Sequence, residues 1–160
     1  MLRRYYFFLF AISLISLAAC ATMGPRYSEM DIIQTRISEG EARLYFLRES
    51  RVLFSGRTAP IKIGGKDIGK LRNGGFFFVD LAPGTYRIST ETWDAGRFSI
   101  QMEVEADKVY YIEAIPREKF LGVIAFAVGG LILENKGMFA LVPINEENAA
   151  QKLPNLRYSK

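Results

Sequence analysis

Few residues of this chain have the spacing of a reactive motif. Gly64-Gly65-Lys66-Asp67-Ile68-Gly69-Lys70 has the letters of a phosphate-binding loop: glycine, four residues, glycine, lysine. Such a loop needs a Ser or Thr next, to hold Mg²⁺, and then a helix whose amides face the phosphates. Leu71 takes the metal-ligand position here, and Arg72-Asn73-Gly74-Gly75 cannot start a stable helix. The segment reads instead as a hairpin with glycine at positive φ.

Carboxylates are the remaining candidates for acid–base work. Glu103 and Glu105 share one strand face, the polar one opposite Ile100, Met102 and Val104, and read as solvated charges. Asp80 precedes the Pro83-Gly84 corner, where a carboxylate accepts turn amides in a structural role. Glu91 and Asp94 bracket Trp93 near a strand end. A bound cation or sugar is their functional reading, and a solvated loop the plain one. The chain has no histidine and one cysteine, which excludes His-dependent triads, Cys/His zinc sites and an intramolecular disulfide. There is no Gly-x-Ser-x-Gly elbow, and only lysine is available as a base for Ser or Thr. We therefore expect no enzyme, no cofactor and no metal. Glycoside hydrolysis by paired carboxylates is the enzymatic alternative.

One segment carries a different chemistry. Phe120 to Leu133 is a run of fourteen uncharged residues between Arg117-Glu118-Lys119 and Glu134-Asn135-Lys136. As a helix it would span about 21 Å, short of a bilayer core. As two strands turning at Gly129-Gly130 it would be a hairpin. As a helix, Gly122, Ala125 and Gly129 would form a small-residue stripe. Burial against the domain is the plain reading. Contact with membrane or a partner is the functional one, through Phe120, Leu121, Val123, Ile124, Phe126 and Leu131.

The elements that would position these residues are mostly strands. At 160 residues, 49% hydrophobic and 13% aromatic, the chain can bury one core. Period-two patterning runs through Leu44–Leu47, Ile61–Ile63, Phe76–Leu81, Tyr86–Ser89 and Ile100–Glu105, with further apolar runs at Val109–Ile115 and Phe139–Ile144. Tyr86 is placed in the core. Turn signals separate the runs at Gly64-Gly65, Asn73-Gly74-Gly75, Pro83-Gly84, Asp94-Ala95-Gly96 and Ala106-Asp107. The expectation is an all-β fold, an antiparallel sandwich of about 7–8 strands. Ser28 with Asp31 can cap a short helix that Gly40 ends, or this stretch is a plain tether. Asn145 can cap a second short helix that Pro154 stops.

The N-terminus has its own pattern. Arg3-Arg4 forms a positive head, and Tyr5 to Ala19 is apolar except for Ser13 and Ser16. A helix of that run would span roughly 22 Å, which describes an export signal better than a membrane span. It ends Leu17-Ala18-Ala19-Cys20, which resembles the bacterial lipobox. The resemblance implies cleavage before Cys20, a diacylglyceryl thioether on its thiol, and a fatty acyl group such as palmitate on its new amine. Two or more chains anchor stably. Ala21, rather than Asp, after the cysteine implies transfer to the outer membrane. Loss of residues 1–19 removes Arg3 and Arg4 and lowers the formal charge from +4 to +2, which gives no argument for nucleic acid.

A second resemblance rests on Ile61 to Gly69, Phe77 to Leu81 and Pro83-Gly84-Thr85-Tyr86-Arg87-Ile88. These are similar to PEGA-type and related Ig-like sandwich modules. With Ala42-Arg43-Leu44-Tyr45-Phe46 and Phe139-Ala140-Leu141-Val142-Pro143, the chain resembles a family of small bacterial lipoproteins of unknown function. The organisation expected is a signal peptide over 1–19, a lipidated tether over 20–40, a sandwich over 41–145 with an apolar insertion at 120–133, and a short helix and tail over 146–160. The expected role is non-enzymatic binding or scaffolding on the periplasmic side of the outer membrane. The expected partners are the membrane, through the lipid anchor, and an envelope protein or peptidoglycan-associated component. The alternative is an assembly subunit of an envelope or secretion complex, by fold analogy.

Overall fold

The computed structural model describes residues 24–30, 37–117 and 130–159. Ten strands run in the order β1 (Ala42–Arg48), β2 (Ala59–Ile63), β3 (Lys66–Leu71), β4 (Gly75–Leu81), β5 (Gly84–Thr92), β6 (Gly96–Val104), β7 (Val109–Pro116), β8 (Gly130–Asn135), β9 (Phe139–Ile144) and β10 (Arg157–Tyr158). They form two five-stranded sheets, β10-β4-β1-β7-β9 and β3-β2-β5-β6-β8, packed face to face. The all-β sandwich expected from the patterning is thus what the chain forms. It has more strands than the alternating runs suggested, because the β2–β3 hairpin has two arms and because β8 and the two-residue β10 lie outside those runs. The second sheet is antiparallel throughout. The first is mixed, since β1 pairs with β7, and β10 with β4, in parallel.

Strand β1 is covered on both faces. All seven of its residues are buried. Leu44 and Phe46 face the inter-sheet core with Ile61, Phe77, Ile88, Phe98, Ile100 and Ile112. Tyr45 and Leu47 face outward, yet are covered by Phe76, Ala149, Leu153 and Leu156. That cover comes from helix α1 (Glu146–Lys152) and the 3₁₀ turn Leu153–Asn155 behind it. The Asn145 side chain accepts from Asn148 N at 2.9 Å, the expected cap, and Pro154 lies in the 3₁₀ turn that follows. Near the N-terminus Tyr27–Glu29 forms a 3₁₀ turn whose Tyr27 ring packs edge-on against Tyr45 and Phe76.

The turns behave as their residues require. Gly64 and Gly65 have φ of 58° and 85° and close the β2–β3 hairpin where a phosphate loop would need a helix. Tyr86 is half-buried rather than fully enclosed, and its hydroxyl donates to Ala82 O at 2.9 Å across the Pro83-Gly84 corner. It lies near the start of β5 and packs partly against the inter-sheet core.

Candidate functional site

The structure distributes the residues singled out in sequence rather than gathering them. Leu17, Ala18, Ala19 and Cys20 lie outside the described residues, as do Phe120, Leu121, Val123, Ile124 and Phe126. Leu131 belongs to β8, paired with Gln101 of β6, so the last four residues of the apolar run are sheet. Strands β7 and β8 both run toward the end of the sandwich where Pro116 opposes Phe139 and Asn135 opposes Phe98, but they belong to different sheets. No short turn can join two such strands, so the length of the intervening segment has a topological cause.

The carboxylates hold ion pairs or face water. Asp80 faces Arg43 and Ser38 rather than the Pro83-Gly84 corner. It takes a bidentate grip on Arg43, with Nε 2.6 Å from Oδ1 and Nη2 2.7 Å from Oδ2, and accepts weakly from Ser38. The Arg43 side chain is 3% exposed and that of Asp80 18%. The Arg43 guanidinium also lies 4.2 Å above the Phe78 ring. Hydrogen bonding to Arg43 holds the Asp80 carboxyl below its ordinary range, and the same bond raises Arg43. Asp80 is therefore a fixed anion, unsuited to proton transfer near neutrality. Glu103 and Glu105 are exposed, as expected, and Glu105 pairs with Lys108. Glu91 pairs with Arg97 and Asp94 with Arg57. Among the described residues no group of three His, Cys, Asp or Glu could hold a metal ion.

On the outer face of the second sheet, Lys62, Arg87 and Arg97 alternate with Asp67, Glu91 and Glu134 in a lattice of ion pairs. A shallow cleft of about 380 Å³ beside Gly64 and Gly65 is lined by the three cations and Ser89. Each cation already meets a carboxylate, so the cleft has no strong excess of charge to offer a ligand. On the outer face of the first sheet, Lys152 of α1 donates to the buried Glu113 at 2.6 Å and pins the helix to β7.

Sequence reasoning missed the end of the sandwich where β1 leaves the sheet. Arg48 is 2% exposed and donates to Phe54 O at 2.7 Å and to Arg57 O at 2.5 Å. Its guanidinium sits 4.4 Å over the Phe139 ring. Burial pushes its pKa down to about 10, so it stays charged at neutral pH. These contacts clamp the loop between β1 and β2. Within it Phe54 adopts a φ of 61°, a left-handed conformation that costs a bulky residue about 1 kcal/mol, and turns its ring onto Phe139. Arg51 N donates to Asn73 Oδ1, and Arg57 pairs with Asp94 at 2.5 Å, which joins this loop to the β5–β6 turn. The result is a rigid display of Val52, Leu53 and Trp93, which are 95%, 56% and 93% exposed. The sequence signals were available: an unbroken Val-Leu-Phe between arginines, and a tryptophan in a turn.

Fold and surface together define a β-sandwich module in which, among the described residues, Asp80, Glu91, Asp94, Glu113 and Glu134 are held in ion pairs and the most exposed large apolar side chains, Val52, Leu53 and Trp93, lie at one end. Residues 38–130, more than half the chain, match the family described as a protein of unknown function (DUF2846), and the chain belongs to that family. No curated protein matches the chain.

Proposed function

We propose that this protein is a lipid-anchored envelope protein, held through Cys20 at the periplasmic face of the outer membrane, with a non-enzymatic binding or scaffolding role. The observation that carries the anchor is Leu17-Ala18-Ala19-Cys20, set behind a positive head and a short apolar run and containing the only cysteine of the chain. The likeness to PEGA-type modules is part of the same reading. Its support is the β2–β3 hairpin with two glycines at positive φ and the Tyr86 hydroxyl bonded back to Ala82. The binding role is supported by the engagement of the carboxylates in ion pairs, Asp80 with Arg43 above all. Among the described residues no helix is long and apolar enough to cross a membrane. The apolar segment from Phe120 to Leu133 belongs to the proposal as a contact with membrane or partner.

Metabolic labelling with an alkyne fatty acid in a bacterial host tests the anchor. The wild-type chain should take up label and stay with membranes through a high-salt wash, and Cys20→Ala should take up none. A wild-type chain that carries no label would refute the anchor.

A further inference from the structure

We propose that the sandwich end bearing Val52, Leu53 and Trp93 docks on the lipid surface to which Cys20 tethers the chain. The inference rests on the anchor reading above and adds a second, non-covalent contact with defined residues.

Three observations carry it. The first is exposure: Val52 at 95% and Trp93 at 93% leave almost their whole side chains in water, whereas Val109, the exposed large apolar residue away from this end among the described residues, is 37% exposed. The second is rigidity. Arg48 bonds Phe54 O and Arg57 O, and the Arg57–Asp94 pair ties the two loops together, so both tips are held before any contact is made. The third is reach. Cys20 lies four residues before Gly24, a stretch that can span at most roughly 14 Å. Gly24 N donates to Tyr158 O at 2.8 Å. Tyr158 pairs with Phe76 of β4, one residue from Gly75, and Gly75 opposes Arg48, where the Val52–Leu53 loop departs. The tether therefore meets the body close to the end that carries the tips. A lipidated Cys20 holds that point of entry within roughly 14 Å of the bilayer.

The side-chain types suit a lipid surface. Tryptophan favours the headgroup boundary, where its ring meets apolar chains and its N–H remains wet. Val52 and Leu53, at the loop tip beside it, are apolar side chains that can enter the acyl boundary. A protein-binding surface would show the same exposure, but the short tether at this end favours lipid.

Trp93 is the sole tryptophan of the chain, which makes the test direct. The full chain, produced with its leader in a bacterial host, is reconstituted into vesicles of phosphatidylethanolamine and phosphatidylglycerol at 3:1. Flotation reads the anchor, and Trp93 emission reads the docking. Docking predicts emission shifted to the blue of a tryptophan amide in water, quenching by brominated acyl chains, and protection from aqueous iodide. The double variant Val52→Ser/Leu53→Ser keeps the reporter and removes two exposed side chains, so its fold should be unaffected. It should still float, with lipid quenching reduced by about tenfold. A chain that floats while Trp93 emits as in water and is open to iodide overturns the docking and leaves the anchor standing. A wild-type chain that does not float overturns both.

Discussion

The Arg43–Asp80 pair offers the sharpest test of how the first sheet is held. Asp80→Asn keeps shape and one acceptor oxygen but removes the charge that faces a guanidinium 3% exposed. Breaking a fully buried pair by neutralising one partner costs about 3–5 kcal/mol. Asp80 is 18% exposed, so water softens the loss, and the Phe78 ring 4.2 Å from Arg43 still favours the cation. We expect a loss of about 2–3 kcal/mol, or a fall in Tm of roughly 5–10 °C for a chain of this size. Arg43→Met combined with Asp80→Val removes both charges and should return to within about 1 kcal/mol of wild type. Urea and thermal melts of the full chain in detergent, followed by far-UV circular dichroism, read both values. Fluorescence would not serve, because Trp93 lies on the surface.

The pH dependence follows with a definite sign. The folded Asp80 carboxyl titrates below its ordinary value, chiefly through its hydrogen bonds with Arg43. Its stabilisation is therefore complete above the unfolded pKa of about 3.9 and is lost as pH falls through the lower folded value. The gap between wild type and Asp80→Asn should be constant from neutrality to about pH 5 and shrink below about pH 4. A variant within 0.5 kcal/mol of wild type (about a tenth of a typical domain's stability) refutes the pairing argument. So does a gap that widens in acid.

Two further perturbations address other elements. Lys152→Met leaves Glu113, 4% exposed, facing a lost cation, and should cost about 2–3 kcal/mol and free α1 to proteolysis; adding Glu113→Gln should recover most of the loss. Replacing Ile124 and Phe126 with Ser should leave urea melts of the chain almost unchanged while weakening its contact with vesicles; a loss of several kcal/mol with no change in vesicle contact would assign that segment to the core.

The strands were legible where one face meets the core and the other meets water. Ile100, Met102 and Val104 are buried while Gln101, Glu103 and Glu105 are exposed, as the alternation says. The turns were legible because Gly64, Gly65, Gly74 and Gly96 take positive φ that other residues resist. The buried arginines were not legible. Arg43 and Arg48 look like surface residues, and what encloses them arrives from positions far along the chain, Asp80 and Phe139 among them. Parallel pairing of β1 with β7 was likewise hidden, because alternation fixes which face a residue takes and is silent on which strand lies beside it. The boundary of β8 was hidden because an apolar run carries no period from which to separate strand from connection.

The placement of β8 changes what the apolar run must explain. Its length follows from topology: β7 ends beside Phe139 at the end carrying the tips, while β8 starts at Gly130 opposite Met102 and runs back toward that same end. Between Pro116 and Gly130 the chain must therefore return by the length of a strand, a distance its sequence separation covers at about 3.3 Å per residue. The absence of charge from Phe120 to Val128 does not follow from topology, since a return across a solvated edge would tolerate Lys or Glu. The exposed tips need no such segment to meet a bilayer, because Val52, Leu53 and Trp93 are rigid, apolar and close to where the tether joins the body. The two proposed contacts are thus independent in cause. A variant that removes one should leave the other intact, and double variants should add in their effect on vesicle binding.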